Sequence, residues 1–308
     1  MRVIITGGTG LIGTTLAKSL IADDHEVIAL SRTPETGNGL PPEVRVVGWD
    51  ARTANGWGDL ADGAGAIVNL AGANLAGEGF LPTRWTQERK RIIRDSRVNS
   101  GLAVVEAVAQ AGAKPGVLIQ ASGIGYYGHR GDQVVTEDVG PGDDYLAHLS
   151  AEEWEPSTEP VEGMGVRRAI IRSGAVFSAK EGALPRMVLP FRLFVGGRLG
   201  SGDQWHSWIH LEDEVRAIRF LIDREDASGP FNLTSPHPLP NAEFARVLGR
   251  VLNRPAWIPV PGFVMRLAFG EVTDVLLTGQ RGIPQRLLDM GFEFRYADPE
   301  AALRDLLK

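Results

Sequence analysis

The sequence predicts an α/β fold built on a parallel β-sheet that helices cover on both faces. Short apolar runs alternate with helical patterns through about residue 176, which is the order of elements in such a fold. A glycine-rich turn at 7–13 joins the first apolar run to the first helix. From about Pro238 the chain reads as short helices and apolar turns. We therefore expect a Rossmann-type doubly wound sheet with a smaller, mainly helical C-terminal substrate lobe.

The strands are predicted from apolar runs that are bounded by turn residues. They cover residues 1–6, 25–30, 44–50, 66–72, 117–122 and 168–172. A long helix is predicted from about Thr86 to Ala111. Its expected core positions are Ile92, Ile93, Leu102, Val105 and Val108.

The glycine-rich turn has the spacing of a dinucleotide-binding motif. Gly7, Gly10 and Gly13 recur three apart between a strand and a helix, the context in which this pattern is informative. One glycine allows the tight turn, one allows close approach of a pyrophosphate, and one allows the helix to pack on the strand. The helix N-terminus then offers free N–H groups to the phosphates. We expect cofactor contacts from Gly7, Thr9, Gly10, Leu11 and Ile12, with a plain glycine-rich β–α turn as the alternative.

The end of the second strand indicates which dinucleotide is bound. NAD sites usually carry an acidic residue here, whereas an arginine accommodates the 2′-phosphate of NADP. No acidic residue occupies positions 29–33, and Arg32 offers a planar guanidinium. The sequence therefore predicts NADP, unless Arg32 is an ordinary loop residue. Asp50 is expected either to contact the adenine or to cap a turn, and Ala71 and Gly72 to pass beneath the adenosine ribose.

The predicted domain boundaries follow from a change of composition. The Gly- and Pro-rich stretch at 178–202 interrupts the alternation of strands and helices. Residues 1–176 are expected to form the NADP-binding domain, and segments at about 203–235 to return to it. Residues 177–202 and 236–308 are expected to form the substrate lobe and the C-terminal helical domain.

Length and composition fit a soluble enzyme, and the expected partner is a small-molecule substrate that the sequence does not identify. The 308 residues carry a formal net charge of −6, which argues against nucleic acid or an anionic membrane as the main partner. No apolar run approaches the roughly 18 residues that span a bilayer. The first strand begins at the first residue, leaving no room for a leader, so the cytoplasm is expected. The chain has no cysteine, which excludes disulfides and thiolate metal sites. The sequence does not predict an oligomeric state.

Several motifs together resemble one branch of the extended short-chain dehydrogenase/reductases. They are the glycine turn, the segments 69–72, 122–128 and 172–174 after strands, and the segments 199–210, 259–263, 279–281 and 291–296. They are similar to the atypical epimerase family proteins, also called nucleoside-diphosphate-sugar epimerase-like. The resemblance covers essentially the whole chain. It implies an NADP-type Rossmann domain with a small C-terminal domain, whereas the epimerase label rests mostly on fold.

The usual catalytic pair of this superfamily is absent from the sequence. A working member has Tyr and Lys four apart on the helix after the fifth strand, where the lysine lowers the tyrosine pKa. Here no lysine occurs between Lys114 and Lys180. The tyrosine in a plausible helix is Tyr145, and the residue four positions on is Leu149. Tyr145 is therefore expected to pack or to line the cleft.

Three hydroxyl groups after the fifth strand are the candidates to replace that pair. Ser122 is placed to donate to a substrate oxygen, although it could merely satisfy a strand-end backbone group. Tyr126 and Tyr127 lie in the adjacent glycine-rich loop, from which a phenol could reach the cleft. His148 is expected to be an ordinary surface histidine. No metal site is expected, because the six histidines show no ligand spacing.

Two further features have alternative interpretations. The segment 205–213 could form a wall of the cleft, with Trp208 or His206 near the nicotinamide, or it could be a packed turn. Four arginines could bind phosphates or a carboxylate, or could be solvated; they are Arg172, Arg186, Arg192 and Arg198. Two functions remain open: an NADP-dependent oxidoreductase or epimerase-like enzyme, and a sensor that binds NADP(H) with little catalysis.

Overall fold

The computed structural model describes residues 1–36, 39–77, 79 and 81–308. Within these residues the strands, in chain order, are β1 (Arg2–Thr6), β2 (Glu26–Ser31), β3 (Arg45–Gly48), β4 (Ala66–Asn69), β5 (Val117–Gly123), β6 (Val134–Val135), β7 (Arg167–Ser173), β8 (Ala175–Phe177), β9 (Trp205–His206), β10 (Trp208–His210), β11 (Gly229–Leu233), β12 (Leu239–Pro240) and β13 (Arg281–Gly282). The helices are α1 (Leu11–Ile21), α2 (Gln87–Gln110), α3 (Tyr145–His148), α4 (Pro160–Gly163), α5 (Leu184–Arg192), α6 (Leu211–Asp223), α7 (Asn241–Leu252), α8 (Gly262–Phe269), α9 (Asp274–Leu277), α10 (Gln285–Asp289) and α11 (Pro299–Leu307).

The centre of the described structure is a seven-stranded parallel sheet, which confirms the predicted fold class. Its strand order is β11-β7-β5-β4-β1-β2-β3, and every neighbouring pair is parallel. The chain runs outward from β1 to β3 on one side and from β4 to β11 on the other. The order therefore reverses between β1 and β4. In open α/β sheets such a reversal creates a crevice at the carboxyl ends of the strands, where ligands bind.

The sheet is buried on both faces because apolar side chains alternate along its strands. Val3 and Ile5 of β1 point to the face that α1 and α6 cover. Ile4 points to the opposite face, where it packs with α2. Leu16 of α1 and Ile218 of α6 are both fully buried in the first of these clusters. The two layers hold the carboxyl edge of the sheet in a fixed position.

Helix α2 was predicted at nearly its observed bounds, but two of its core positions were wrong. The side chain of Thr86 caps it by accepting a hydrogen bond from Arg89 N–H at 3.2 Å. Ile93 and Val108 are buried, Val105 is partly buried, and Ile92 and Leu102 are exposed. The buried face is instead lined largely by small residues, namely Ser100, Gly101, Ala103, Val104 and Ala107. Their short side chains allow α2 to lie close to the sheet and to the turn Pro156–Thr158.

The strand β11 was missed because its sequence contains Pro230. Proline lacks the N–H that an interior strand needs, so it argues against a strand assignment. Here β11 lies at the edge of the sheet and pairs with β7 alone, where one proline is tolerated.

The C-terminal region has a core of its own, formed mainly by α5, α7 and α11. Phe177 and Trp208 stack with ring centroids 5.6 Å apart, and Phe244 packs against them. Leu303 of α11 completes this cluster. The mainly helical character predicted for this region is confirmed. In the described part of the chain no helix combines the length and apolarity needed to cross a membrane.

Candidate active site

The glycine turn after β1 has the tight geometry that the motif predicts. Gly7 adopts a φ of 64°, which favours glycine, and Gly10 N–H donates to Gly7 O at 3.0 Å. A Cβ atom on Gly13 would lie 2.6 Å from Gly7 O and 2.7 Å from Gly8 Cα. Gly13 therefore allows α1 to start directly against the turn.

The N-terminus of α1 is open to a ligand. Its first intrahelical hydrogen bond runs from Thr14 N–H to Gly10 O, so the N–H groups of Leu11, Ile12 and Gly13 remain free of the helix ladder. Gly10 provides no capping side chain, and the first turn contains no acidic residue. Gly10 is exposed while Leu11 and Ile12 are half-buried. These features make the helix end suitable for a phosphate.

Arg32 follows the end of β2 and is available to an anion. It is exposed and has no hydrogen-bonding or ionic partner within the described residues. The neighbouring Ser31 is buried; its Oγ accepts from Thr33 N–H and lies 3.4 Å from Thr9 Oγ1. The end of β2 is thereby tied to the glycine turn. Part of the loop that follows, residues 37 and 38, lies outside the described residues.

Asp50 forms a turn after β3. Its Oδ1 accepts from the N–H groups of Arg52 and Thr53, both at 2.8 Å, and its Oδ2 accepts from Thr53 Oγ1 at 2.9 Å. Although loss of water acts to raise the pKa of Asp50, these hydrogen bonds outweigh it and lower the pKa. The capping alternative is thus realised, and adenine contact by Asp50 stays a prediction.

A polar chain crosses the carboxyl ends of β1, β4 and β5. Thr6 Oγ1 donates to Asn69 Oδ1, and Asn69 Nδ2 donates to Gln120 Oε1 at 2.9 Å. Ala71 N–H donates to Thr6 Oγ1 at 3.2 Å, and a Cβ atom on Gly7 would lie 3.2 Å from Ala71 N. The predicted Gly7 and Ala71 are therefore neighbours across the crevice. The sequence analysis did not predict this row of hydrogen-bonded side chains.

The segment after β4 is held from below by α2. Ala73 N–H donates to Ser96 Oγ at 2.9 Å, and Arg97 Nη1 donates to Ala73 O at 3.0 Å. Gly72 is exposed and lies directly over the buried Arg97 guanidinium. Burial lowers the pKa of Arg97 to about 10, and the nearby charge of Arg89 acts in the same direction. Arg97 and Ser96 therefore fix the path of the segment in which Ala71 and Gly72 were predicted to meet the ribose.

Ser122, Tyr127 and Arg172 belong to one buried network around Glu155. Ser122 Oγ–H donates to Glu155 Oε1 at 2.6 Å, and Arg172 pairs with both oxygens of Glu155 at 2.9 Å. Arg172 Nη1 also donates to Tyr127 OH, which donates to Asn232 Oδ1 at 2.8 Å. Glu155 reaches this position from the segment that follows a π-helical turn over Leu149–Trp154. The sequence offered no local signal for it.

Burial and charge pairing shift the pKa values of Arg172 and Tyr127 within this network. Desolvation opposes the charge on Arg172, but Glu155 outweighs it and raises the Arg172 pKa. Burial raises the pKa of Tyr127 to about 12, although Arg172 acts against this shift. Tyr127 is fully buried and its hydroxyl is occupied on both sides. In this arrangement the hydroxyls of Ser122 and Tyr127 are engaged within the protein and support the site, and their part in catalysis stays a prediction.

Tyr126 is the predicted candidate with a free hydroxyl. No residue in the described part of the chain hydrogen-bonds to that hydroxyl. Its ring is half-buried, and the Arg172 guanidinium carbon lies 3.4 Å from the ring centroid. The ring of Tyr127 packs against it edge-on at 5.1 Å. The Glu155–Arg172 pair therefore holds the Tyr126 ring while leaving its hydroxyl available.

Tyr145 packs, as the sequence predicted. Its hydroxyl donates to Lys90 O at 2.9 Å, and its ring packs against Trp85 at 5.4 Å. Leu149, four residues on, is buried. His148 lies on the surface, where Glu152 raises its pKa.

The segment 205–213 is a packed turn rather than a wall exposed to the cleft. Trp208 is fully buried, and His206 Nε2 lies 2.9 Å from Asn241 Nδ2. Burial lowers the pKa of His206 to about 4. His210 caps α6 by accepting from Glu212 N–H.

The four arginines singled out in the sequence have different environments. Arg172 is paired with Glu155, and Arg186 donates to Gly79 O at 2.7 Å. Arg192 and Arg198 are exposed on the C-terminal region.

Glu214 of α6 is a buried acid whose carboxyl group contacts Ser173 at the end of β7, and no local sequence pattern singles it out. Ser173 Oγ–H donates to its Oε1 at 2.6 Å, and its Oε2 has no partner in the described structure. Burial raises the Glu214 pKa to about 8, whereas the Ser173 hydrogen bond acts to lower it. The neutral acid therefore predominates at neutral pH.

Glu214 should make stability fall with rising pH. Unfolded, its carboxyl ionises near the ordinary value of 4.5, whereas the folded chain keeps the proton until about pH 8. The folded state binds more protons between these values, so the free energy of unfolding decreases across that range. Glu214→Gln should flatten this part of a urea-midpoint profile measured against pH. The exposed Glu243→Gln is the control, and an unchanged profile in Glu214→Gln would contradict this account.

Comparison with known proteins identifies the family. Residues 3–234 match the NAD dependent epimerase/dehydratase family. The chain belongs to this family. Residues 260–306 match a family described as a domain of unknown function, DUF1731. The predicted resemblance is confirmed.

Individual relatives extend over the whole chain. Epimerase family protein YfhF of Bacillus subtilis is 37% identical over 308 residues, covering 100% of this chain and 98% of its own length. The chloroplastic epimerase family protein SDR39U1 homolog of Arabidopsis thaliana is 38% identical, covering 100% and 87%. The crystal structure of human epimerase family protein SDR39U1 with NADPH superposes with a TM-score of 0.88 at 31% identity, covering 99% of both chains.

Proposed function

We propose that this protein is an NADP(H)-dependent oxidoreductase or epimerase-like enzyme that acts on a small molecule. The observation that carries the proposal is the open N-terminus of α1 beside Arg32, which has no partner among the residues that the structure describes. Free N–H groups suit a pyrophosphate, and a free guanidinium suits a further phosphate. The helix N-terminus and Arg32 together match the pyrophosphate and the 2′-phosphate of NADP.

The preference for NADP over NAD rests on the end of β2. No carboxylate is present at 29–33 to bond a ribose 2′-OH, and Arg32 replaces it. The human relative crystallised with NADPH supports this choice, although the family description names NAD. We assign the phosphates to the turn from Gly7 to Ile12, including Thr9, Gly10 and Leu11. Ala71 and Gly72 would underlie the adenosine ribose.

The bound cofactor would supply or accept a hydride, and the chain must then manage a proton. We propose that Tyr126 holds that proton at its hydroxyl oxygen, without the usual Tyr-x-x-x-Lys pair. The Arg172 guanidinium packs on the Tyr126 ring, 3.4 Å from its centroid, and so fixes the position of the hydroxyl. Glu155 positions Arg172 for this purpose, and Ser122 fixes Glu155.

A cofactor-binding sensor is the second candidate. The engagement of Ser122 and Tyr127 within the protein favours it, because two of three possible donors are then unavailable to a substrate. An oxidoreductase would consume NADPH when mixed with a suitable carbonyl compound. An epimerase would regenerate its cofactor and would instead change the configuration of its substrate, whereas a sensor would bind NADPH and do neither.

The proposed partner is a small-molecule substrate, with no nucleic acid. We propose the cytoplasm as the compartment, although one plant relative is named chloroplastic.

Arg32→Ala should weaken NADPH binding by about 1.5–3 kcal/mol and leave NADH binding nearly unchanged. This is the size of a hydrogen bond to a charged group, which only NADPH makes. The dissociation constants can be measured by nicotinamide fluorescence for both cofactors. Arg45→Ala, at the start of β3, is the matched control. Equal losses for NADPH and NADH in Arg32→Ala would remove Arg32 from cofactor selection.

A further inference from the structure

Positive charge is concentrated on one part of a chain whose net charge is negative. The segments 184–202 and 244–270 contain seven arginines and no acidic residue, whereas the whole chain carries −6. The fold brings the two segments together. Gly196 O accepts hydrogen bonds from Trp257 N–H and Ile258 N–H, and Leu199 pairs with Val260. Two of the seven, Arg250 and Arg266, pair with Glu300 and Asp274, and the other five have no acidic partner among the described residues. The net charge of the chain therefore does not describe this cationic part of its surface.

Arginines line two adjoining grooves on this surface. A groove of about 360 Å³ is bordered by Arg198, Arg246, Ala256 and Trp257. A second groove, of about 580 Å³, shares Arg246 and Ala256 and adds Arg250 and Arg254. Arg250 pairs with Glu300 at 2.9 Å. Among the described residues Arg198, Arg246 and Arg254 have no acidic partner, so their charges are available to an external anion.

Bulky apolar side chains project beside these grooves. Leu193, Phe194 and Val195 follow α5 and are 61%, 54% and 47% exposed. Trp257 is 69% exposed. Such a continuous group of exposed apolar residues usually marks an interaction surface.

The exposed apolar residues Leu193, Phe194 and Val195, which we call the apolar tip, are held in place by contacts of Phe194. Phe194 adopts a φ of 63°, which is unusual for an aromatic residue. Its N–H donates to Phe191 O at 2.9 Å, and its carbonyl accepts from Trp257 Nε1 at 3.0 Å. The guanidinium of Arg254 lies 4.5 Å from the centroid of its ring. Apolar tip and cationic groove thus form one supported unit, which we call the arginine–aromatic face: Leu193, Phe194, Val195, Arg198, Arg246, Arg254 and Trp257.

We propose that the arginine–aromatic face docks on a lipid bilayer that contains anionic phospholipids. Arginines would bind the lipid phosphates, while the tip from Leu193 to Val195 and Trp257 would enter the headgroup region. Amphipathic rings such as that of tryptophan favour this interface. The net charge of −6 argues against an anionic membrane only as an average over the chain, and it does not describe the charge of one face.

The chemistry of this face favours a bilayer over other anionic partners. Single-stranded nucleic acid binds through basic grooves and aromatic stacking, but Leu193 and Val195 offer no ring for a base. An acidic protein would satisfy the arginines, yet it would need a matching apolar pocket for the tip. A bilayer provides both anionic phosphates and an apolar layer immediately beneath them. This proposal does not depend on the proposed cofactor.

Vesicle flotation tests the proposal with the full chain. We expect binding to vesicles of phosphatidylserine mixed with phosphatidylcholine, and weak or no binding to phosphatidylcholine alone. The double variant Arg198→Glu/Arg246→Glu should bind the mixed vesicles more than about tenfold less tightly, because each charge near an anionic surface contributes. Phe194→Asn removes the apolar ring but tolerates the left-handed backbone, and should also weaken binding. Added salt should lower the binding of the native chain.

Arg45→Glu makes the same type of substitution at one site away from this face and should bind like the native chain. Thermal unfolding midpoints must match among the variants, so that loss of binding is not loss of fold. Failure of the native chain to bind anionic vesicles overturns the proposal. So does equal binding by the double arginine variant. Concentration-dependent dimerisation without vesicle binding, abolished by Phe194→Asn, would also overturn it and assign the face to a second copy of this chain.

Discussion

Glu155→Ala is expected to lower the free energy of unfolding by about 3–5 kcal/mol, because it leaves the Arg172 charge buried without its partner. Both guanidinium contacts to Glu155 are 2.9 Å, and both side chains are almost fully buried. The hydroxyl of Ser122 would lose its acceptor as well. Urea unfolding followed by far-UV circular dichroism measures the loss.

Two companion variants make this result specific. Glu155→Gln retains an acceptor oxygen for Ser122 but not the negative charge, so its loss should be substantial and smaller. Glu159→Ala, four residues on and exposed, should change stability by no more than about 0.5 kcal/mol. A loss below about 1 kcal/mol for Glu155→Ala would mean that the pair does not hold the site together.

Gly13→Ala is expected to weaken NADPH binding by about 1.5–3 kcal/mol or more, the size of a charged hydrogen bond. The added methyl would meet backbone atoms, Gly7 O at 2.6 Å and Gly8 Cα at 2.7 Å, which cannot rotate away. Helix α1 must then move from the turn, and its free N–H groups move with it. Overpacking should also cost about 1–3 kcal/mol of stability. Fluorescence titration and urea unfolding give the two values.

Gly163→Ala is the matched control for Gly13→Ala. Apart from its chain neighbours and the backbone of its own helix, a Cβ atom at Gly163 would meet no described atom within 4 Å, and its φ is not positive. This variant should keep native NADPH affinity and stability. Native affinity in Gly13→Ala would show that the start of α1 does not bind the cofactor.

The features predictable from the sequence are those fixed by local patterns. The glycine spacing at 7–13 predicted the turn, its open helix end and the neighbouring strand, because all three depend on adjacent residues. The period of apolar residues predicted β1, β2, β4, β5 and β7 to within a few residues at their ends. Tyr145 could be removed from catalysis because its helical neighbour Leu149 is visible in the sequence.

The features that escaped prediction depend on contacts between distant segments. Glu155 joins Ser122 and Arg172 across 33 and 17 residues, and a π-helical turn sets its direction. Nothing local distinguishes it from surface glutamates. Ile92 and Leu102 were misplaced because small residues, rather than large ones, let α2 approach its neighbours. The charge asymmetry appears only when two segments about 60 residues apart are placed side by side.

The most direct test of the account is a fluorescence titration of the purified native chain with NADPH and, in parallel, with NADH. We expect saturable binding of NADPH that is at least about tenfold tighter than binding of NADH, since Arg32 contributes one charged contact to NADPH alone. Equal binding of the two would contradict NADP selection through Arg32. Binding of neither would show that the glycine turn is structural in this chain, and the proposed function would fall with it.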